Sequence, residues 1–195
     1  LGYFLLGLNW IGNALLVEGN EFWWVWPLAV IALPIALSIF TGLASLIADR
    51  FFNLSKIRGF IALCFALSLF EYLRGHLFTG FPWNLYGYIW SDFLPIAQVS
   101  SIIGPYGLTL ITLIIVGTPA YYLAQKESRY RLRFAGVVFS LFVLLFAFGW
   151  LRLSANPTEF RQDVQIQVVQ PYIEQKDKWD NKKLAQHFEK HIDLS

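Results

Sequence analysis

Long apolar stretches separated by short polar connectors restrict what this chain can fold into. A helix that crosses a lipid bilayer needs about 17–25 mostly apolar residues, because each adds about 1.5 Å toward a hydrocarbon core of about 30 Å. The first of these stretches is expected to lack its beginning, and the third is short unless flanking residues extend it. The stretches cover residues 2–17, 22–48, 60–73, 103–124 and 134–151. The pattern predicts an α-helical membrane protein with about five spans.

The composition of the chain agrees with a lipid environment. Hydrophobic residues make up 56% of the sequence and charged residues 14%, whereas soluble domains have roughly 45–50% and 25%. The 18 Phe, 9 Tyr and 8 Trp suit membrane–water interfaces. A net charge of +2, with its basic residues spread over short loops, argues against nucleic acid as a partner.

The distribution of basic residues predicts the orientation of the spans. Lys and Arg concentrate in the short loops that face the cytoplasm. The connectors 49–59 and 125–133 carry most of them, whereas the connectors 18–21 and 74–92 carry only one. The basic residues of the two cytoplasmic connectors are Arg50, Lys56, Arg58, Lys126, Arg129, Arg131 and Arg133. With five spans, the part of the chain after Arg152 is expected on the extracytoplasmic side.

The polar tail predicts the start of a second domain. We expect a membrane bundle over 1–151, a linker over 152–163 and the beginning of an extracytoplasmic α/β domain over 164–195. Residues 164–168 alternate with period two, as in a half-buried strand. Asp180 is expected to cap a helix whose apolar stripe repeats every four residues, at Leu184, Phe188 and Ile192.

One strand and one helix cannot bury a core, so more of this domain is expected to follow. The chain has no Met, and its final residues read as helix without a closing signal. We therefore expect a fragment that is shortened at both ends.

Several residues invite chemical hypotheses. Glu71, Arg74 and Trp83 belong to an aromatic, glycine-rich outer segment that is either an interfacial belt with Glu71 and Arg74 paired or a cleft for a lipid. Cys64, the only cysteine, lies within an apolar run and is expected to be a buried thiol. Asn9 and Asn13 are expected to bond a neighbouring helix.

His187 and His191 have the spacing of a metal pair but no third ligand is evident, so no metal site is predicted. Gln175, Lys178 and Trp179 follow the predicted strand. They belong either to an ordinary connecting loop or to a pocket, since strand ends in α/β domains bind ligands.

Four motifs in order resemble the apolipoprotein N-acyltransferases of bacterial inner membranes. The motifs are LGLNW, FEYLRGHLFTGFPWNLYGY, IIGPYGLTLI and VQIQVVQPYIEQKDKWD, and together they cover most of the chain. The family's extracytoplasmic domain is nitrilase-like. By motif position, Trp179 resembles an active-site tryptophan of the family, and Gln175 and Lys178 flank it.

The resemblance implies an enzyme that moves an acyl chain from a phospholipid to the amino terminus of a diacylglyceryl-cysteine lipoprotein. It implies a cysteine thioester and a Glu–Lys–Cys triad that is expected beyond Ser195, with no cofactor. No residue of this chain is therefore assigned a catalytic role, and the fragment alone is predicted to be inactive. Another membrane-tethered nitrilase-type amidase or acyltransferase, and a transporter or structural membrane subunit, remain as alternatives.

Overall fold

The structure is a computed structural model that describes residues 1–17, 20–124, 129–157, 159, 161, 163–174, 177–178 and 180–195. Helices dominate it, as the apolar stretches predict. The α-helices are α1 (Gly2–Leu8), α2 (Trp26–Phe51), α3 (Ile57–His76), α4 (Leu94–Ala97), α5 (Ser100–Ala124), α6 (Arg129–Ala155) and α7 (Leu184–Asp193). Three 3₁₀ helices cover Asn9–Leu16, Trp23–Val25 and Tyr86–Trp90.

Within the described ranges, three helices are long and apolar enough to cross a membrane. They are α2 with the short helix before it, α5, and α6 from Tyr130 onward. These helices coincide with the second, fourth and fifth predicted spans. Helix α3 coincides with the third predicted span and has 20 residues, but its last turns carry Glu71 and Arg74. The total of five spans stays a prediction.

The first apolar stretch does not form one continuous α-helix. Helix α1 ends at Leu8, and the chain continues as a 3₁₀ helix over Asn9–Leu16. Gly and Asn have low helix propensity, and this stretch contains two of each between positions 7 and 13. The Trp10 indole also donates to the Gly7 carbonyl oxygen, at 3.1 Å. Local hydrogen bonding of this kind competes with a regular α-helix.

The chain divides into two compact units, residues 34–157 with Leu1, and residues 2–33 with 158–195. In the unit of residues 34–157, α5 packs against α3, α6 and the Tyr86–Trp90 helix, and α4 packs against α6. Phe60, Cys64 and Tyr121 form one buried cluster between these helices. A second buried cluster joins α4 to α5. The predicted boundaries at 151 and 163 stay predictions.

Helix α5 is interrupted near its beginning. Gly104 has φ 69° and ψ 175°, a conformation outside the helical region that residues with a Cβ rarely adopt. Pro105 follows, in the position where a helix tolerates proline because the first amides need no partner within it. The interruption sets the direction in which the rest of α5 leaves the segment before it.

The predicted strand at 164–168 is not formed, and the structure has no strand in the parts of the chain that it describes. A strand requires a neighbouring strand for its backbone hydrogen bonds. Ile166 and Val168 are exposed, so the alternating pattern also buries neither face. The expectation of a strand here was wrong for this chain by itself.

The predicted final helix is present, but Asp180 does not cap it. Helix α7 begins at Leu184, and the Asp180 carboxylate accepts the Lys182 amide within the preceding turn, at 2.9 Å. The apolar stripe of Leu184, Phe188 and Ile192 is formed and lies exposed.

The contact between α4 and α6 predicts a steric requirement at Gly149. An added Cβ at Gly149 would overlap the Pro95 carbonyl oxygen, whereas a Cβ at Gly136 would meet nothing within 4 Å. We expect Gly149→Ala to destabilise the full-length protein by about 2 kcal/mol, because a methyl group forced into a packed contact costs about 1–3 kcal/mol. Gly136→Ala is the control. Thermal unfolding in detergent measures both, and equal melting temperatures for the two variants would contradict the packing.

Candidate functional site

The segment after α3 folds back onto the end of that helix. The amide of Phe81 donates to the Arg74 carbonyl oxygen at 2.9 Å, and the amide of Gly80 donates to that of Leu77 at 2.9 Å. Gly80 has φ 82°, and a Cβ there would overlap the Gly75 carbonyl oxygen. Glycine is therefore required at this turn.

Three residues of the turn that carry a Cβ also have positive φ. Their values are 52° at Phe78, 74° at Thr79 and 56° at Asn84. Such conformations cost of order 1–3 kcal/mol each and persist only when surrounding contacts impose them. The contacts that impose them here come from the end of α3.

Arg74 is the residue that holds this turn. Its side chain is buried, with 2% of the residue exposed. One guanidinium nitrogen donates to the carbonyl oxygens of Phe81 and Trp83, at 2.7 and 2.8 Å. The other donates to Glu71 Oε1 at 3.3 Å. A planar guanidinium presents several donors in a fixed fork, so one side chain ties two backbone positions and one carboxylate together.

Glu71 completes the arrangement from the same helix. It is 4% exposed and forms an ion pair with Arg74, the pairing that the interfacial-belt alternative included. Its second oxygen accepts the amide of Tyr86 at 3.2 Å. Each buried charge therefore has the other as partner, and both also bond to the backbone of the outer segment. We call Glu71, Arg74 and the backbone of Phe81, Trp83 and Tyr86 the arginine clamp.

Tyr86 joins the clamp to α2. Its phenol shares a side-chain hydrogen bond with Thr41. Burial raises the pKa of the Tyr86 phenol, and the neighbouring negative charge of Glu71 raises that pKa further. The phenol is therefore neutral at physiological pH and serves as a hydrogen-bonding group.

The other half of the outer segment is attached to α5. The amide of Gly87 donates to Thr109 Oγ1 at 3.1 Å, and the Trp90 indole donates to Thr112 Oγ1 at 2.8 Å. Ser68 of α3 donates to the Tyr106 carbonyl oxygen at 3.2 Å. The sequence hypotheses did not assign roles to these hydroxyl residues. The spacing of Thr109 and Thr112 on one helix face was the available signal.

Aromatic and aliphatic side chains cover the outside of the clamp. Phe78 is 89% exposed, and Trp83 and Tyr88 are each about half exposed. The Phe81 and Trp83 rings lie 5.9 Å apart. The site thus presents apolar rings outward on a backbone that buried charges hold in place.

The predicted site residues fall into two groups. Glu71, Arg74 and Trp83 come together in the clamp, where Arg74 bonds the carbonyl of Trp83 rather than its ring. Lys178 is exposed in the turn before α7. Gln175 and Trp179 lie outside the described residues.

The structure also describes the single cysteine and the histidine pair for which the sequence suggested chemical roles. Cys64 is buried in α3 with 3% of its surface exposed, as predicted for a structural thiol. His191 Nδ1 contacts the His187 carbonyl oxygen at 2.7 Å on an exposed helix face. No group of three or more His, Cys, Asp or Glu that could hold a metal occurs in the portion of the chain described. The site therefore offers exposed aromatic rings on a backbone of fixed geometry.

Three long apolar helices among the described residues define this chain as a helical integral membrane protein. The family described as "Apolipoprotein N-acyltransferase N-terminal domain" matches residues 1–118. The chain belongs to the apolipoprotein N-acyltransferase family.

Curated relatives of that name extend the similarity to the whole chain. The protein from Rhodopseudomonas palustris is 38% identical over 196 residues, that from Rhizobium meliloti 37% over 195, and that from Bradyrhizobium diazoefficiens 37% over 196. Each match covers 100% of this chain and 36% of the relative. The chain thus spans about a third of the length of these relatives. No solved structure matches it.

The clamp predicts that replacing Arg74 alone lowers the stability of the protein more than replacing Arg74 and Glu71 together. Arg74→Gln leaves the Glu71 carboxylate buried without its cation, and breaking a buried pair in this way costs about 3–5 kcal/mol. We expect the double variant Glu71→Gln/Arg74→Gln to be more stable than Arg74→Gln alone, because it removes the unpaired charge.

Arg152→Gln is the matched control for this prediction. Arg152 makes a hydrogen bond to Gln98 in an exposed position, at 3.1 Å, so its loss should cost little. Thermal unfolding of the full-length variants in detergent gives the comparison. A double variant that is less stable than Arg74→Gln, or an Arg152→Gln variant equally damaged, would refute the clamp.

Proposed function

We propose that this chain serves the N-acylation of lipoproteins. In this reaction an acyl chain leaves a phospholipid and forms an amide with the amino group of an N-terminal diacylglyceryl-cysteine. The observation that carries the proposal is similarity over the full chain to proteins named apolipoprotein N-acyltransferase. The similarity includes the tail as well as the membrane helices. This favours the enzyme over a transporter or structural subunit that has only a similar helix bundle.

The chemistry that we propose proceeds through a cysteine thioester with a Glu–Lys–Cys triad. A carboxylate accepts the proton of the cysteine thiol, and the thiolate attacks the phospholipid ester carbonyl while a lysine stabilises the oxyanion. The ester C–O bond then breaks, and the lysophospholipid leaves with the proton that the carboxylate held. The lipoprotein amine then attacks the thioester and releases the thiol. Cys64 is unsuited to this role because it is packed against Phe60 and Tyr121 inside the bundle. We therefore assign no catalytic residue within this sequence and expect the 195-residue chain alone to lack activity.

The role that we propose for the bundle is to bring lipid to the reaction. The clamp holds Trp83 and Phe78 outward at the end of α3, where aromatic rings favour the membrane–water interface. Glu71 and Arg74 act in this proposal as positioning residues, since both side chains are buried and bonded to the protein itself. Gln175, Lys178 and Trp179 are proposed to face the substrate from the polar tail.

A transporter or structural subunit is the main alternative of a different class. Transport of a charged substrate usually places ionisable side chains within the membrane-spanning region, facing a pathway. Among the described residues, the fully buried charges are Glu71 and Arg74, and they neutralise each other near one end of α3. This arrangement favours a structural role for the pair over a transport pathway.

An acyl-transfer assay tests the proposal. We expect the full-length protein to acylate a diacylated lipopeptide with phosphatidylethanolamine as donor, in the membrane environment of a bacterial inner membrane. Trp83→Ala should lower kcat/KM by about fivefold, since loss of an aromatic contact is worth about 0.5–1.5 kcal/mol. Trp150→Ala removes another exposed tryptophan, on α6, and is the control. Folded full-length protein without acyl transfer would disprove the proposed reaction.

The proposed orientation has its own test by cysteine labelling of the full-length protein. Ser55 and Ser91 are both exposed and lie in connectors predicted on opposite sides. In intact cells, a membrane-impermeant maleimide should modify Ser91→Cys beyond the level of the unsubstituted protein. It should modify Ser55→Cys only after permeabilisation. The reverse pattern would show that the connector 74–92 lies in the cytoplasm and would contradict the proposed orientation.

A further inference from the structure

An open groove of about 850 Å³ runs between α5 and α6. It lies between the second half of α5 and the first half of α6, on the side that leads to the basic connector 125–133 and away from the arginine clamp. Its wall is almost entirely apolar and includes Thr118, Pro119, Tyr122, Leu132, Val138 and Phe142. A groove with this lining, in a helix pair long enough to cross a membrane, faces lipid rather than water.

The length of the groove matches one leaflet. Leu132 and Phe142 mark its two ends on α6 and are separated by ten residues, or about 15 Å of helix. The hydrocarbon core of a bilayer is about 30 Å thick. The groove therefore accommodates an extended acyl chain of the leaflet on the side of the basic connector.

The α5 wall of the groove lacks one helical hydrogen bond. Pro119 has no amide to donate to the Ile115 carbonyl, and its ring crowds that carbonyl. Both residues line the groove. At the inner end, Trp90 closes the space, and its indole is fixed by the hydrogen bond to Thr112.

A basic side chain lies at the mouth of the groove. The Arg131 guanidinium carbon lies 4.7 Å from the centre of the Tyr122 ring, which belongs to the groove wall. A guanidinium is suited to phosphate oxygens, to which it donates paired hydrogen bonds. The basic side chain at the mouth and the apolar wall behind it match the phosphate group and the acyl chain of one lipid molecule.

We propose that this groove binds an anionic glycerophospholipid, with its phosphate at Arg131 and one acyl chain between α5 and α6. The site lies at the opposite end of α5 from the clamp, so it is separate from the proposed acyl-donor region. It does not depend on the acyl-transfer proposal. A bound lipid there would fill the groove and stabilise the α5–α6 pair.

Native mass spectrometry of the full-length protein in detergent tests the proposal, with phosphatidylglycerol and phosphatidylcholine as probes. We expect one phosphatidylglycerol to bind preferentially. Arg131→Gln should weaken its binding about fivefold, the effect of about 1 kcal/mol expected for one basic side chain near a lipid headgroup. Arg50→Gln is the matched control, because Arg50 also lies near the end of a span and beside an aromatic ring, 5.9 Å from the centre of the Phe51 ring.

A second pair of variants tests the apolar part. Ala135 lines the groove. Ala135→Phe should abolish lipid binding, because the added ring fills the groove. Val143→Phe adds a ring on the same helix at an exposed position outside the groove and should leave binding intact. Equal binding by both ring variants, or equal loss in Arg131→Gln and Arg50→Gln, would overturn the proposal.

A photoreactive benzoylphenylalanine in place of Leu132 identifies the occupant in membranes. An adduct with phosphatidylglycerol would support the proposal. A crosslink to another segment of the protein would show that a helix, and not a lipid, covers the groove, and would overturn it.

Discussion

A guanidinium with almost no exposed surface is the constraint on which the outer half of this bundle depends. An unpaired charge in such a position costs several kcal/mol, so the chain around Arg74 must supply acceptors. Glu71 supplies one from the same helix, and the backbone carbonyls of Phe81 and Trp83 supply two more. The turn that brings those carbonyls within reach requires Gly80 and places Phe78 and Thr79 at positive φ. Satisfying one buried charge thus determines the path of the segment that follows α3.

Helix α5 carries the second set of constraints. Close packing and interhelical hydrogen bonds, rather than the hydrophobic effect, hold helices together where lipid is the solvent. Thr109 and Thr112 supply such bonds to Gly87 and Trp90. The absence of a side chain at Gly87 lets its backbone approach α5 closely. The outer segment is therefore held from two sides, by charge on α3 and by hydroxyl groups on α5.

Predictions from the sequence succeeded where the signal is local. Apolar length located α2, α5 and α6, because the hydrocarbon thickness sets a requirement that each stretch meets by itself. One of the two alternatives for the outer segment included the ion pair of Glu71 and Arg74, which lie three apart on one helix face, and the structure contains that pair. The prediction of a strand at 164–168 failed because a strand depends on contacts that are not local. Its pairing depends on residues distant in sequence, and no alternating pattern supplies them.

The sequence by itself determined that the chain enters a membrane, and its motifs identified the family. Both conclusions depend on residue type and order alone. Only the tertiary structure showed that Arg74 bonds the backbone of the outer segment, that Phe60 and Tyr121 are the partners of Cys64, and that a groove opens between α5 and α6. Burial, hydrogen-bond partners and empty space are properties of side chains from several helices at once. They are settled when the helices pack, and the sequence of any one helix does not contain them.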